Sequence, residues 1–321
     1  MSQDPAAKPS KSTYKKNWLS IESQLQKLES YGLQIADREM AQSFLHHANY
    51  YRFAGYCLAF EESRHKFHQG VTFDQVRYAY DFDARLRDLF SQALQWIEID
   101  LCASTAHYFG EKYGAFGHIE ADNFTTKFGN EKHTRRPLYH ADWLTALREE
   151  AGRSQEIFVD HFRDEYIEFP DLPIWTVTEV MTFGRLARMI RGMKRIDRKC
   201  IGYDLYGIPE PVFFSLVHHL HYVRNRCAHH SRLWDRTWKV SSVLPQHSDW
   251  KHPQIQSKKR VFTTLLLMKQ LLDSCNALKS NMRLWQDQVN ELMAALPDAP
   301  KAGILIGLSK DWKQHPVWIQ E

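Results

Sequence analysis

The stretch from Val71 to Phe109 places the strongest constraint on what this chain can fold into. It reads VTFDQVRYAYDFDARLRDLFSQALQWIEIDLCASTAHYF, and it predicts a helix that starts near Thr72 or Asp74 and ends before Gly110. Successive side chains of a helix are rotated by about 100°. This rotation gathers the apolar side chains of the segment into one stripe, which contains Leu86, Leu89, Phe90, Ala93, Leu94, Ile97 and Leu101.

Later segments also show helical periodicity. One helix is predicted over DLPIWTVTEVMTFGRLARMIRGM, with Asp171 as a candidate N-cap and Pro173 in the first turn. Two more are predicted over PEPVFFSLVHHLHYVRNRCAHH and KKRVFTTLLLMKQLLDSCNALKSNMRLWQDQVNEL. Strand-like alternation is scarce and short. The sequence therefore predicts an all-α bundle, with a flexible basic tail at residues 1–18 and a single domain over residues 19–321.

Composition excludes several classes of protein. No apolar run approaches the roughly 20 residues that span a bilayer, and no apolar segment follows the charges of MSQDPAAKPSKSTYKK, as a secretory signal requires. The 5 cysteines are odd in number and widely spaced, without a CxxC pair. They are typical of free thiols in a reducing compartment. We therefore expect a cytoplasmic protein that does not contact a membrane.

Charged residues fall within or beside the apolar stripes of these helices. Arg224 lies in the stripe of its helix, and Glu179 lies among the apolar positions of the preceding helical segment. Arg87 and Glu98 are nearly in line along the border of the long helix. An unpaired buried charge is costly, so Arg224 must meet a carboxylate, a subunit interface or a wet cleft. Two readings remain open: a structural ion-pair network, with Glu179 beside Arg224, or a polar cleft built for chemistry.

The motif RNRCAHH, from Arg224 to His230, favours the chemical reading. Histidine exchanges protons near neutral pH, and arginine can hold a phosphate and stabilise a pentacovalent transition state. These two groups suffice to cleave RNA through its own 2′-hydroxyl without a metal. Arg224 and His229 point about 140° apart on a straight helix, so the helix must end or bend there, or two subunits must meet. Asn225 either ends the helix or orients the arginine or the substrate.

A metal site is the alternative use of the histidines in this segment. His218 and His221 share a side of the helix, which zinc would accept. No neighbouring cysteine or carboxylate completes a ligand set. We therefore expect no metal and no cofactor, with these histidines at a surface or an interface.

Basic residues cluster in two segments. RLARMIRGMKRIDRKC and KFGNEKHTRRPLYH carry them at spacings that place several on one helix face or next to aromatic residues. Such surfaces suit single-stranded RNA, although a basic run is more often a solvated face. The Arg/His motif favours RNA binding. The predicted RNA-binding residues are Arg185, Arg188, Arg191, Lys194, Arg195, Arg198, Lys199, Arg135 and Arg136.

The chain resembles a known family in five blocks that occur in the family's order. RNRCAHHSRLW resembles the Arg/His signature of HEPN-domain ribonucleases. The whole chain is similar to Abi-like abortive-infection proteins of the AbiD/AbiF group. The blocks are NYYRFAGY, YDFDARLRDL, LPIWTVTEVMTFGRL, RNRCAHHSRLW and IGLSKDWKQHPVW, and the likeness extends from about Ile21 to Trp318.

This resemblance implies a HEPN-like helical bundle with additional N-terminal and C-terminal helical elements. It implies a homodimer in which the Arg/His motifs of two subunits form a metal-independent ribonuclease site, and a role in phage defence as a toxin. The implied catalytic pair is Arg224 and His229, supported by Asn225, and His230 also falls within the family's spacing. Some relatives are restrained by a small RNA antitoxin, and some HEPN domains only bind RNA.

Overall fold

The computed structural model describes residues 13, 17–126, 128, 139–250, 255–274 and 279–319. Its internal contacts group into two units, residues 1–77 and 78–321. Most of the predicted tail at residues 1–18 lies outside the described residues. Whether residues 19–321 behave as one domain stays a prediction.

The first unit is built from three helices and a hairpin. The helices are α1 (Ile21–Ser30), α2 (Arg38–Ala48) and α3 (Tyr50–Cys57), and the short antiparallel strands are β1 (Glu61–Ser63) and β2 (Lys66–Phe67). Asn49 turns the chain between α2 and α3 at a φ of 65°, and its side chain accepts a hydrogen bond from the Tyr51 amide. Phe53 and Phe73 stack in the core of the unit with ring centroids 4.4 Å apart.

The long helix α4 (Phe73–Tyr113) begins in the first unit and continues into the second. The predicted start is confirmed, because the Thr72 hydroxyl accepts from the Gln75 amide and the Gln75 side chain accepts from the Thr72 amide. The predicted end before Gly110 is wrong. A Cβ atom at Gly110 would lie 3.2 Å from Ile174, so this glycine serves close packing and does not stop the helix.

The second unit contains the remaining helices. They are α5 (His140–Arg153), α6 (Ile157–Glu165), α7 (Ile174–Val180), α8 (Phe183–Gly192), α9 (Arg195–Lys199), α10 (Glu210–Ala228), α11 (Val261–Asp273), α12 (Lys279–Ala294) and α13 (Ala302–Ile306). A π-helix (Cys200–Leu205) follows α9. Helices dominate the described residues, whose sheet is the β1–β2 hairpin. The all-α prediction is therefore confirmed, including helical elements at both ends of the chain.

The single helix predicted from Asp171 to Met193 is wrong, because the structure has two helices there. Met181 is extended after α7, and Thr182 caps α8 by accepting from the Arg185 amide. Asp171 pairs with Arg148 and caps neither helix. The break also turns Trp175 outward, with 56% of its surface exposed, although the predicted stripe would bury it.

The core of the second unit follows the predicted stripes of α4 and α10 closely. Leu86, Phe90, Ala93, Leu94, Ile97 and Leu101 are buried in α4, and Phe213, Leu216, Val217, Leu220, Val223 and Cys227 are buried in α10. Helix α11 is buried on almost every side. It ends at Asp273, so the single last helix predicted from Lys258 to Leu292 is also wrong.

His219 links α10 to neighbouring segments and makes stability depend on pH. Its Nδ1–H donates to the Val240 carbonyl, and its Nε2 accepts from the Thr264 hydroxyl, both at 2.9 Å. Burial lowers the pKa of His219 to about 4. The unfolded chain, with an ordinary pKa near 6.5, therefore binds a proton more readily than the folded protein.

We expect the free energy of unfolding to fall as the pH drops from about 6.5 to about 4, with His219 contributing about 3 kcal/mol. Urea unfolding of the wild type and of His219→Gln at several pH values measures this contribution. The variant should show a flatter dependence, and the exposed-site control His161→Gln should not. Equal slopes for the wild type and His219→Gln would contradict the assignment.

Candidate active site at the end of helix α10

Helix α10 ends inside the RNRCAHH motif. His229 is its C-cap, with φ −91° and ψ 16°, and the His229 amide donates to the Asn225 carbonyl at 3.1 Å. His230 follows at a φ of 50°, and the Ser231 amide donates to the Arg226 carbonyl at 2.8 Å. These bonds satisfy the last carbonyls of the helix and turn the chain away. On a continuing helix Arg224 and His229 would point about 140° apart. The end of α10 at this position removes that constraint, so both residues can face one ligand.

His229 and His230 are both exposed at this end of α10. Within the described part of the chain, the His229 imidazole has no side-chain hydrogen-bond partner. Its ring is therefore accessible to a ligand or to a second subunit.

Of the surroundings predicted for Arg224, a carboxylate, a subunit interface or a wet cleft, the structure shows a carboxylate, which is that of Glu98. The Arg224 Nε lies 3.6 Å from the Glu98 Oε2, and 41% of the Arg224 side chain is exposed. Burial raises the pKa of the Glu98 carboxyl, while Arg224 and the backbone amide of Phe183 act in the opposite direction. Glu179 was the predicted partner, but it is exposed near the end of α7.

A cavity of about 510 Å³ lies beside this ion pair. Its walls come from α4, α7 and α10, and its lining residues include Gln95, Glu98, Cys102, Thr178, Glu179, Arg224 and Cys227. Burial, with Glu98 and Glu179 nearby, raises the pKa of Cys102 to about 12. This thiol is therefore not a nucleophile at neutral pH. The cavity offers one cation and two carboxylates, so Glu98 and Glu179 do share a polar cleft with Arg224.

The Asn225 side chain is engaged within α10. Its amide Nδ2 donates to the Nε2 of His221 at 2.9 Å. Burial lowers the pKa of His221, and the nearby Arg188 and Arg224 lower it further, so the ring is neutral and can accept this bond. Asn225 thus holds the His221 ring, and a role for it in orienting Arg224 or the substrate stays a prediction.

Arg87 does not line the cavity but forms a buried ion pair with Asp83 at 2.5 Å. Asp83 is fully buried and also accepts from the amides of Leu233 at 3.0 Å and Trp234 at 2.6 Å. Arg87 also acts electrostatically on Cys227, which lines the cavity, and its supporting role in the site stays a prediction. The Asp83–Arg87 pair holds the segment that follows His230. Sequence reasoning missed Asp83, although it stands three residues before Leu86, on the same stripe.

The basic segment around Gly192 is divided between two helices: Arg185, Arg188 and Arg191 lie on α8 at helical spacing, and Arg195, Arg198 and Lys199 lie on α9. A Cβ atom at Gly192 would lie 2.3 Å from the Phe128 ring, and the Gly192 carbonyl accepts from the Thr125 amide at 2.9 Å. Helix α8 ends at this glycine, Met193 and Lys194 leave the helical conformation, and α9 starts at Arg195.

The predicted RNA-binding residues have different surroundings. Arg185 pairs with Glu150 at 2.9 Å, and Arg198 pairs with Glu210 at 2.7 Å. Lys194, Arg188 and Arg191 are partly buried, and Arg195 and Lys199 are exposed. Burial lowers the pKa of Arg188 and of Arg191. Arg135 and Arg136 lie outside the described residues.

The described residues provide neither a cluster of metal ligands nor a membrane-spanning helix. Among the described residues, no group of three or more His, Cys, Asp or Glu side chains is arranged to hold a metal ion. No helix within the described ranges combines the length and apolarity needed to cross a bilayer.

Comparison with known proteins gives one result. No curated protein and no solved structure matches the chain. The model of the Abi-like protein family matches residues 43–235, which is more than half of the 321 residues. The matched range contains α10 and the RNRCAHH motif, whereas the block from Ile306 to Trp318 lies beyond it. This chain therefore belongs to the Abi-like protein family.

Proposed function

We propose that this protein is a metal-independent endoribonuclease of HEPN type that acts as an abortive-infection toxin in phage defence. In this proposal its helical bundle is HEPN-like, the chain falls in the AbiD/AbiF group, and the enzyme is a cytoplasmic homodimer. Its substrate is RNA, and a small RNA antitoxin is a candidate regulator.

The chemistry needs only the motif residues. One His229 imidazole takes the proton of a ribose 2′-hydroxyl, and the oxygen attacks the neighbouring phosphorus. Arg224 neutralises the pentacovalent phosphate. The 5′-oxygen then leaves with a proton from the imidazolium of the second subunit, giving a 2′,3′-cyclic phosphate and a 5′-hydroxyl end.

The observation that carries the proposal is the end of α10 at Ala228, between the two groups. It leaves Arg224 at the wall of a cavity and His229 exposed on the chain that emerges from the helix. Five residues along a helix span about 7.5 Å, so both groups lie near one end of α10. A two-fold contact at this end would place four such groups around one cleft.

A second candidate is an RNA-binding module that does not cleave and that partners a small RNA or another protein. The Arg224–Glu98 pair favours it, because an arginine held by a carboxylate also serves as a structural contact. In that case Arg224→Ala and His229→Ala would leave the behaviour of the protein unchanged.

We expect RNA cleavage to proceed equally well in EDTA and in Mg²⁺, because the imidazoles move the protons and the guanidinium supplies the charge. The measurement is the appearance of 2′,3′-cyclic phosphate ends on a labelled RNA, with a magnesium-dependent nuclease as the control for chelation. Loss of activity in EDTA would overturn the mechanism.

Bacterial growth should stop on expression of the wild type and continue with the Arg224→Ala/His229→Ala variant.

A further inference from the structure

One face of α10 carries a row of partly buried side chains at helical spacing. The row consists of Phe214, His218, His221 and Asn225, and successive members are one turn apart. The Arg198 guanidinium lies 4.8 Å from the Phe214 ring centroid, and the Arg191 guanidinium lies 5.6 Å from it.

Two arginines of α8 lie close to this row of side chains, between Phe214 and the RNRCAHH motif. Arg191 acts electrostatically on His218, and Arg188 and Arg224 both act on His221. Over the described residues, Arg188 has no carboxylate paired with it. Burial lowers the pKa of His218 to about 4 and also lowers that of His221, so both rings are neutral at pH 7. The row and the arginines beside it therefore combine partly buried positive charges with neutral side chains that can form hydrogen bonds.

A basic and aromatic cleft lies at the other end of α10. It has a volume of about 490 Å³, and its lining includes Arg195, Lys199, Tyr203, Pro209 and Pro211. The Arg195 side chain is 79% exposed, and Tyr203 is 56% exposed. Glu210 also lines the cleft and pairs with Arg198 at 2.7 Å and with Arg195 at 3.4 Å, so its single charge is outweighed by these two cations and Lys199. The cleft is therefore positive, with one open aromatic face.

The local backbone explains why Tyr203 points outward. It belongs to the π-helix, next to Gly202. A Cβ atom at Gly202 would lie 2.8 Å from Phe213, so the glycine lets the π-helix pack directly on α10. The following tyrosine is left at the surface. Irregular helical turns of this kind recur at functional sites.

The cleft and the motif lie on the same side of α10. Glu210 and Arg224 are fourteen positions apart, which corresponds to about 21 Å along the axis and a rotation of about 40° between them. Helix α8 packs on α10 between these ends, so a ligand that reaches both must pass over Arg191 and Arg188 of α8. The ligand must be anionic, extended and able to stack a flat ring on a tyrosine.

We propose that the cleft at Arg195, Lys199 and Tyr203, continued by Arg191 and Arg188, binds single-stranded RNA and leads it to Arg224. Phosphates contact the cations, and an unpaired base stacks on Tyr203. A duplex keeps its bases stacked inside and cannot make that contact. Only the delivery to Arg224 rests on the proposed function; the binding site does not.

Fluorescence anisotropy with a fluorescein-labelled 12-nucleotide single-stranded RNA tests the site. The His229→Ala background prevents cleavage. Tyr203→Leu should weaken binding at least about fivefold, and the matched exposed-site control Tyr166→Leu should not.

Arg195→Gln/Lys199→Gln should lower the slope of log affinity against log salt by about 1.4. Lys258→Gln/Lys259→Gln, an exposed pair with the same loss of charge, should leave the slope unchanged.

Equal affinities for Tyr203→Leu and Tyr166→Leu, or a slope that changes equally in the two paired variants, would overturn the site. If a blunt 12-base-pair duplex binds tightly and Tyr203→Leu does not weaken that binding, the proposed preference of the site for single strands is overturned. If wild-type protein binds RNA here but does not cleave it, the nuclease proposal fails and the site stands.

The length of the substrate tests delivery to Arg224. In an otherwise wild-type enzyme, Tyr203→Leu should lower kcat/KM on the 12-mer and not on a trinucleotide, which is too short to reach both ends of α10. Equal losses on both substrates would show that Tyr203 acts on the catalytic end through the fold, and would overturn this path.

Discussion

Arg224→Ala is expected to lower the rate of RNA cleavage by about 10²–10³-fold, and His229→Ala by about 10²–10⁴-fold. In the proposed mechanism, the first substitution removes the charge that faces the phosphate, and the second removes the group that moves the protons. Cleavage of a labelled single-stranded RNA by purified protein measures both losses. The double variant should lose little more than the worse single variant, because the two groups act in one transition state.

Neither change should unfold the protein, because His229 is exposed and Arg224 is about 41% exposed on its side chain. Thermal unfolding of the variants checks this. His230→Ala identifies the catalytic histidine: full activity in this variant assigns the role to His229. Activity that persists in both Arg224→Ala and His229→Ala would leave the non-cleaving RNA-binding module as the better account.

Asp83→Ala should produce the largest loss of stability, about 3–5 kcal/mol. It leaves the Arg87 charge buried without its carboxylate partner and frees the amides of Leu233 and Trp234. Because these amides hold the chain that follows His230, RNA cleavage should fall as well, even at temperatures where the variant stays folded. Urea unfolding measures the first effect, and activity at low temperature measures the second.

Asp88→Ala is the matched control, since Asp88 is an exposed residue of the same helix. It should change the free energy of unfolding by no more than about 0.5 kcal/mol. Asp83→Leu/Arg87→Met removes both buried charges but leaves the two amides unpaired, so it should recover stability only in part. Equal stabilities for Asp83→Ala and Asp88→Ala would show that this pair does not anchor the segment.

The sequence was sufficient to predict the all-α architecture and that Arg224 meets a carboxylate, a subunit interface or a wet cleft. Both follow from helical spacing and from the cost of burying a charge. It did not identify the carboxylate, because Glu98 and Glu179 both lie on helices that face α10. The choice depends on how α4 and α7 pack, which periodicity within one helix does not encode.

The breaks in the helices were harder to predict than the helices themselves. Thr182 is a good N-cap residue, but the apolar pattern runs through it, so periodicity predicts a single helix from Asp171. Gly192, the last residue of α8, gives room to the ring of Phe128, which is far away in sequence. The exposure of Trp175 and the division of the basic residues between two helices both follow from these breaks. Asp83, by contrast, could have been found from the sequence, because it is a charged residue within an apolar stripe, as Arg224 is.

The hydrogen bonds from Leu233 and Trp234 to Asp83 join positions 150 and 151 residues apart. A ribosome adds about 5–20 residues per second, so Asp83 leaves the peptidyl transferase centre roughly 8–30 s before its partners are made. A chain that terminates before Leu233 therefore lacks the anchor of its Arg/His segment. If the proposed function holds, such a prematurely terminated chain should not cleave RNA.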